Sequence, residues 1–239
     1  MNVTFEERPS LHGYRIAIAS LDAPASLNAL SLPMIDALQD RLHAWAEAAD
    51  IACVILRGNG SKAFCAGGDV VQLARQCLAS PGEAPELAER FFAREYRLDH
   101  YLHTYPKPLI CWAHGHVLGG GMGLLQGAGI RIVTPSSRLA MPEISIGLFP
   151  DVGGSHFLSR LPGKLGLFFG LTASPLNARD ALDLNLADRF LLDTQQDALI
   201  EGLVQLNWRD QPDLQLHSLL KALAVSYTHL RAHETREDL

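Results

Sequence analysis

Three segments of this 239-residue chain carry more glycine and acid than packing alone requires. The first is FCAGGD, Phe64 to Asp69, just ahead of the helical run that starts at Val70. Consecutive glycines let backbone N–H groups approach a ligand closely, and a helix start adds a positive partial charge. The second is Gly119-Gly120-Gly121, also set between an apolar strand-like run and a helix-like one. Two such turns could aim two N–H groups at one carbonyl oxygen, as an oxyanion hole requires. The plainer alternative is a pair of tight turns. The third segment, MPEISIGLFPDVGG, holds Glu143 and Asp151 among Ile, Leu, Phe and Pro. Carboxylates there are costly to bury unless hydrogen-bonded or put to use. Two in an apolar setting can have separated pKa values, which divides acid from base roles. A surface loop for Glu143 and a helix N-cap for Asp151 are the plainer alternatives.

The elements that must position these residues follow from periodicity. Tyr14–Leu21 and Ile51–Arg57 are short β-branched runs bounded by turn residues, which predicts strands. Between them, Met34, Leu38, Leu42 and Trp45 fall on one face of a helix over Pro33–Ala48. Leu109–Ala113 predicts a buried strand running into the glycine cluster, followed by a helix over Gly121–Ala128 and strands at Ile130–Thr134 and Arg138–Met141. Pro85 suits the first turn of a long amphipathic helix to Tyr101, carrying Phe91, Phe92, Tyr96 and Leu98. After Asp151 the pattern is helical around Phe157–Leu161, Leu165–Phe169 and Ala178–Leu184. Strands alternating with helices predict an α/β fold around a largely buried sheet.

Composition narrows the function. Hydrophobic residues make up 48% and charged residues 19%, enough for a substantial core. Lys plus Arg number 20 against 26 Asp plus Glu, with no basic stripe, so no nucleic-acid partner is expected. The mean hydropathy is +0.07, yet no run of 18 apolar residues occurs, so no membrane partner is expected either. The opening MNVTFEERPS has neither a basic nor an apolar signal region. Cys53, Cys65, Cys77 and Cys111 lack paired spacing and read as reduced thiols, which with the missing signal predicts a cytoplasmic protein. GNGSKA (Gly58 to Ala63) mimics part of a dinucleotide fingerprint, but FCAGGD stands where its helix should begin. His114 and His116 lack a third ligand at metal spacing, so no metal is expected.

The final stretch, SYTHLRAHETREDL (Ser226 to Leu239), mixes charges without a helical stripe. Ser226–Thr235 resembles a translated sequencing adaptor, so residues 226–239 are expected to be non-native. It holds two arginines against three acids, and leaving it out moves the net charge only from −6 to −5.

Taken together, the motifs resemble the crotonase (enoyl-CoA hydratase/isomerase) superfamily over roughly Val3–Leu206. The resemblance implies a crotonase-like (ββα) superhelix as a catalytic core over 1–206. It places the start of a C-terminal helical region at 207–225, with the rest of that region truncated. By position, the backbone N–H groups of Ala66 (to within a residue) and Gly120 would hold a thioester carbonyl. Gly67, Gly68, Asp69 and Gly119 would line the substrate. Hydratases of the family look like they need a Glu three residues after the central glycine. Gly123 stands there, while the second glutamate position matches Glu143. The set AREY, YPKP, GGG, AMPE and IGLFPDVGGSHFLSRLPGKLG looks like the 3-hydroxyisobutyryl-CoA hydrolase branch. That implies hydrolysis of a short branched 3-hydroxyacyl-CoA in valine breakdown, with Glu143 and Asp151 catalytic and Glu95 at the polar end of the acyl group. An exposed helix position is the plain alternative for Glu95. No separate cofactor is implied, since CoA belongs to the substrate, and a homo-oligomer is compatible with the family. Ser26 stands where many relatives carry a basic residue for the CoA phosphates, so no phosphate ligand is assigned. Enoyl-CoA isomerisation or hydration and a non-catalytic acyl-CoA binding module are the competing functions.

Overall fold

The computed structural model describes residues 2–79, 81–82 and 85–224; the expectation for residues 226–239 lies outside them. Strands β1 (Val3–Pro9) and β2 (Arg15–Leu21) form an antiparallel hairpin, and α1 (Leu32–Glu47) leads to β3 (Ile51–Gly58) beside β2. The short β4 (Ala63–Cys65) follows, then α2 (Val70–Ala79) and α3 (Glu86–His103). The same strand–strand–helix order repeats with β5 (Leu109–Ala113), β6 (His116–Leu118) and α4 (Gly120–Gly127). It repeats again with β7 (Ile130–Val133), β8 (Arg138–Ala140), α5 (Gly154–Leu158) and α6 (Leu165–Thr172). The described chain ends with β9 (Leu176–Asn177), α7 (Ala178–Asp183), β10 (Arg189–Phe190), α8 (Gln196–Val204) and α9 (Pro212–Leu223).

Each repeat gives one strand to each of two sheets. The larger has the order β1-β2-β3-β5-β7-β10 and is parallel beyond its first hairpin; the smaller has the order β4-β6-β8-β9. This is the expected (ββα) superhelix. The large sheet is buried on both faces, which is why its strands read as continuous apolar runs rather than alternating ones. One face packs Ala17, Val54, Leu56 and Cys111 against Met34, Leu38, Leu42 and Trp45 of α1 and against α3 and α4. The other packs Ile16, Ile18, Ile55, Ile110 and Trp112 under Leu199, Leu203, Leu216 and Leu220 of α8 and α9. Residues 212–223 thus belong to the packing of the main sheet. Cys53, Cys65 and Cys111 are buried free thiols, and Cys77 is exposed.

GNGSKA turns from β3 into β4, not into a helix. Buried His114 sets Nε2 2.8 Å from the Gly60 carbonyl, while His116 is exposed.

Candidate active site

The small sheet explains why distant motifs meet. Strands β4, β6 and β8 are parallel neighbours, with Cys65 opposite Val117 and Leu118 opposite Ala140, so their carboxyl ends are level. FCAGGD leaves β4, the glycine triplet leaves β6, and MPE leaves β8. The outer ends of parallel strands are where α/β folds place ligands.

The first turn is pinned from afar. Leu30 donates its N–H to the Gly67 carbonyl at 2.7 Å, and Asp69 donates to Leu30 at 2.8 Å. Buried Asn28 donates its side-chain amide to Asn59 and Ala63 carbonyls at 3.0 and 2.9 Å. Ala66, expected to within a residue to face an oxyanion, donates its N–H to the Leu27 carbonyl at 3.0 Å. The Gly67 and Gly68 N–H groups make no backbone hydrogen bond among the described residues, so they are the free donors of this turn. Gly67 holds φ at +99°, a conformation side chains disfavour. The Asp69 carboxylate accepts from the Gln72 N–H at 3.2 Å, at the start of α2.

In the second turn Gly119 takes φ +49°, and its N–H donates to Ala140 of β8 at 3.1 Å. Gly120 opens α4, so its N–H is one of the unspent donors of a helix start. The two turns touch: a Cβ on Gly67 would lie 3.6 Å from the Gly120 nitrogen.

Helix α3 lies across them. Phe91, Glu95 and Asp99 recur every four residues on one face and meet Gly68, Gly120 and Gly123 in turn. A Cβ on Gly68 would stand 2.8 Å from the Phe91 ring, and one on Gly120 would collide with Glu95 Oε1. Glu95 is therefore not an exposed helix residue; it is 2% exposed and Oε1 has no partner. Burial, then Asp99, Asp151 and Glu143, push its carboxyl up to about 9. Glu143 is 6% exposed, with Oε1 2.7 Å from where a Gly119 Cβ would sit and Oε2 unpartnered. Burial, reinforced by Asp151, pushes it up to about 7, which leaves a base poised near neutral pH. Asp151 is not the N-cap of α5, a place Gly153 takes; its Oδ2 accepts from the Tyr96 hydroxyl at 2.7 Å.

Sequence reasoning missed Asp99. Its two carboxyl oxygens are shut off from solvent without a partner. They would lie 2.9 and 3.0 Å from a Cβ on Gly123, which would also meet Val152 at 2.6 Å. A cleft of about 1120 Å³ opens beside this corner, lined by Tyr96, Asp99, Gly123, Asp151, His156 and Asn185 among others. Glu143, Gly119 and Gly120 are not among the residues that line it. Among the described residues no group of His, Cys, Asp and Glu could hold a metal ion.

The fold and this corner define a class: α/β proteins that present backbone donors and buried carboxyls at the ends of stacked parallel strands. The family model described as enoyl-CoA hydratase/isomerase matches residues 16–238, and the chain belongs to that family. It is 40% identical over 193 residues to the mitochondrial 3-hydroxyisobutyryl-CoA hydrolase of Danio rerio, covering 80% of this chain and 49% of that protein. It is 41% identical over 198 residues to the small ribosomal subunit protein mS47 of Neurospora crassa, covering 82% of this chain and 39% of that one. Among solved structures, a carnitinyl-CoA dehydratase from Mycobacterium thermoresistibile superposes with a TM-score of 0.80 at 33% identity, covering 93% of this chain and 61% of that one. The chain spans about half the length of the 3-hydroxyisobutyryl-CoA hydrolases it matches. No described helix is long and apolar enough to cross a membrane.

Proposed function

We propose that this chain carries the thioester-cleaving site of a 3-hydroxyisobutyryl-CoA hydrolase, releasing 3-hydroxyisobutyrate and CoA in valine breakdown. The observation that carries this reading is Glu143, buried and unpartnered beside Gly119, level with the free donors of Gly120 and Gly67–Gly68. The substrate carbonyl oxygen sits between those donors, which stabilise the negative charge of the tetrahedral state. Two routes share this geometry. Glu143 adds to the carbonyl carbon and expels the CoA thiolate, and water then hydrolyses the resulting anhydride. Alternatively Glu143 takes a proton from a water that attacks directly. Asp151, held by Tyr96, orients the water or passes a proton to the leaving sulfur.

The hydratase alternative is opposed at Gly123, where Val152 and Asp99 fill the space a side chain would need. A binding-only reading draws on the ribosomal name of the Neurospora relative. Thiol release from 3-hydroxyisobutyryl-CoA, run beside loss of the crotonyl-CoA enone absorbance, tests all three. Rapid release without hydration supports the hydrolase, and a folded protein that releases no thiol overturns it.

Buried free cysteines support a reducing compartment, which we read as the cytoplasm; vertebrate relatives carry "mitochondrial" in their names. The exposed side chains of Ile146, Phe149, Leu167, Phe168 and Leu171 support self-association, which light scattering reads directly.

A further inference from the structure

Asp151 is the acid of this corner that no strand or helix carries. It lies in the loop ahead of α5, yet its charge reaches Glu95, Asp99 and Glu143. Its main chain is tightly held. The Asp151 carbonyl accepts from the Gly154 N–H at 2.5 Å. Val152, next in the chain, takes φ +41°, a conformation that β-branched residues rarely adopt. Such a conformation costs free energy and persists only where the surroundings over-determine it. Gly123 supplies those surroundings: Val152 is buried, with its Cβ 2.6 Å from where a Gly123 Cβ would stand. The glycine at 123 makes the seat for Val152, and the seated Val152 fixes the backbone beside Asp151.

None of this fixes the carboxylate, which still turns about χ1 and χ2. A group that must meet a reacting atom gains from losing that freedom before the substrate arrives. The one hydrogen bond that this carboxylate makes among the described residues comes from the Tyr96 hydroxyl to Oδ2, at 2.7 Å. Tyr96 follows Glu95 on α3, so the helix that lays Glu95 against Gly120 also sets where the Asp151 carboxylate stops. We propose that Tyr96 is a positioning residue: with Val152 seated on Gly123, its hydroxyl holds Oδ2 of Asp151 and leaves Oδ1 as the oxygen presented to the reaction. This rests on the hydrolase reading above, in which Asp151 acts on water or on the leaving sulfur.

The test removes one oxygen. Tyr96→Phe keeps the ring that packs on Phe92, 5.9 Å away between centroids. It is expected to lower kcat for thiol release by about tenfold while KM stays within about twofold. In an Asp151→Ala background the same change should cost less than about twofold, because a residue acting through Asp151 has nothing left to hold. Amide hydrogen exchange gives a readout that needs no turnover: Tyr96→Phe should speed exchange at Gly154 by at least about threefold in the parent and leave it unchanged in Asp151→Ala. A Tyr96→Phe protein with normal kcat overturns the proposal, as does an equal proportional loss in the two backgrounds. Where Asp151→Ala turns over too slowly to time, exchange in that background decides. A folded parent that releases no thiol, with exchange responding as expected, sinks the hydrolase reading and leaves the tie on Asp151 standing. A parent that turns over, with kcat and exchange both unmoved by Tyr96→Phe, sinks only the role of Tyr96.

Discussion

At Glu143 the carboxyl must be ionised to act as nucleophile or base, and burial has moved it from 4.5 up to about 7. Below that value the group is neutral and idle, so kcat/KM for thiol release should climb with pH through about 7; a flat profile from pH 5 to 8 would argue against the assignment. Glu143→Gln should lower thiol release by at least about a hundredfold while acyl-CoA still binds. A binding module would tolerate that change, so equal binding with near-normal turnover removes the catalytic role. Gly123 is the converse case. Restoring the glutamate of hydratases with Gly123→Glu drives its Cβ into Val152 at 2.6 Å. It should destabilise the fold by about 1–3 kcal/mol, by the usual cost of overpacking, without producing crotonyl-CoA hydration. A stable variant that hydrates crotonyl-CoA would show that the residue at 123 alone selects the reaction.

At the scale of elements, the site depends on a segment that holds no catalytic group. Asn28 anchors the loop whose Leu27 and Leu30 set the direction of the first turn. Asn28→Ala leaves the carbonyls of Asn59 and Ala63 without their donor and should cost about 1–3 kcal/mol in chemical denaturation. A larger proportional loss in turnover than in binding is expected, because the turn it fixes acts on the transition state. Helix α1 was legible from Met34, Leu38, Leu42 and Trp45, since a repeat of that length survives any tertiary context. Of the three-residue strands β4, β6 and β8, the sequence marks only the last, at Arg138–Met141; the other two are too short to carry a period and form because their neighbours pair with them. The choice between Ala66 and the following glycines was not local either. It depends on which N–H groups Leu27 and Leu30 engage, more than thirty residues away. Asp99 sits in RLDHYLH, where nothing nearby separates a carboxyl facing a glycine from one facing water.

For the whole molecule, gathering Glu95, Asp99, Glu143 and Asp151 in one corner has a thermodynamic signature. Glu95 is protonated up to about 9 in the fold but only to about 4.5 when unfolded. Between those values the folded state binds the extra proton, so unfolding free energy should fall as pH rises through that window. Glu143 acts in the same direction between 4.5 and about 7. Glu95→Gln should flatten the decline, and denaturant melts at pH 5, 7 and 9 would read it; an unchanged slope means Glu95 ionises normally. The large sheet was readable because both of its faces are apolar, while the meeting of four acids depended on how α3 lies over α4, which no stretch of sequence states.

The level carboxyl ends of β4, β6 and β8 have a consequence for how such a site can change. Adjacent strands stand about 4.8 Å apart, so the three turns that leave them are ruled off at a fixed pitch by main-chain pairing. That pitch is indifferent to side chains. Side chains on α3 and α4 can therefore be exchanged, reshaping the space around Gly120 and Gly123, while the main-chain ruler that spaces the three turns keeps its divisions.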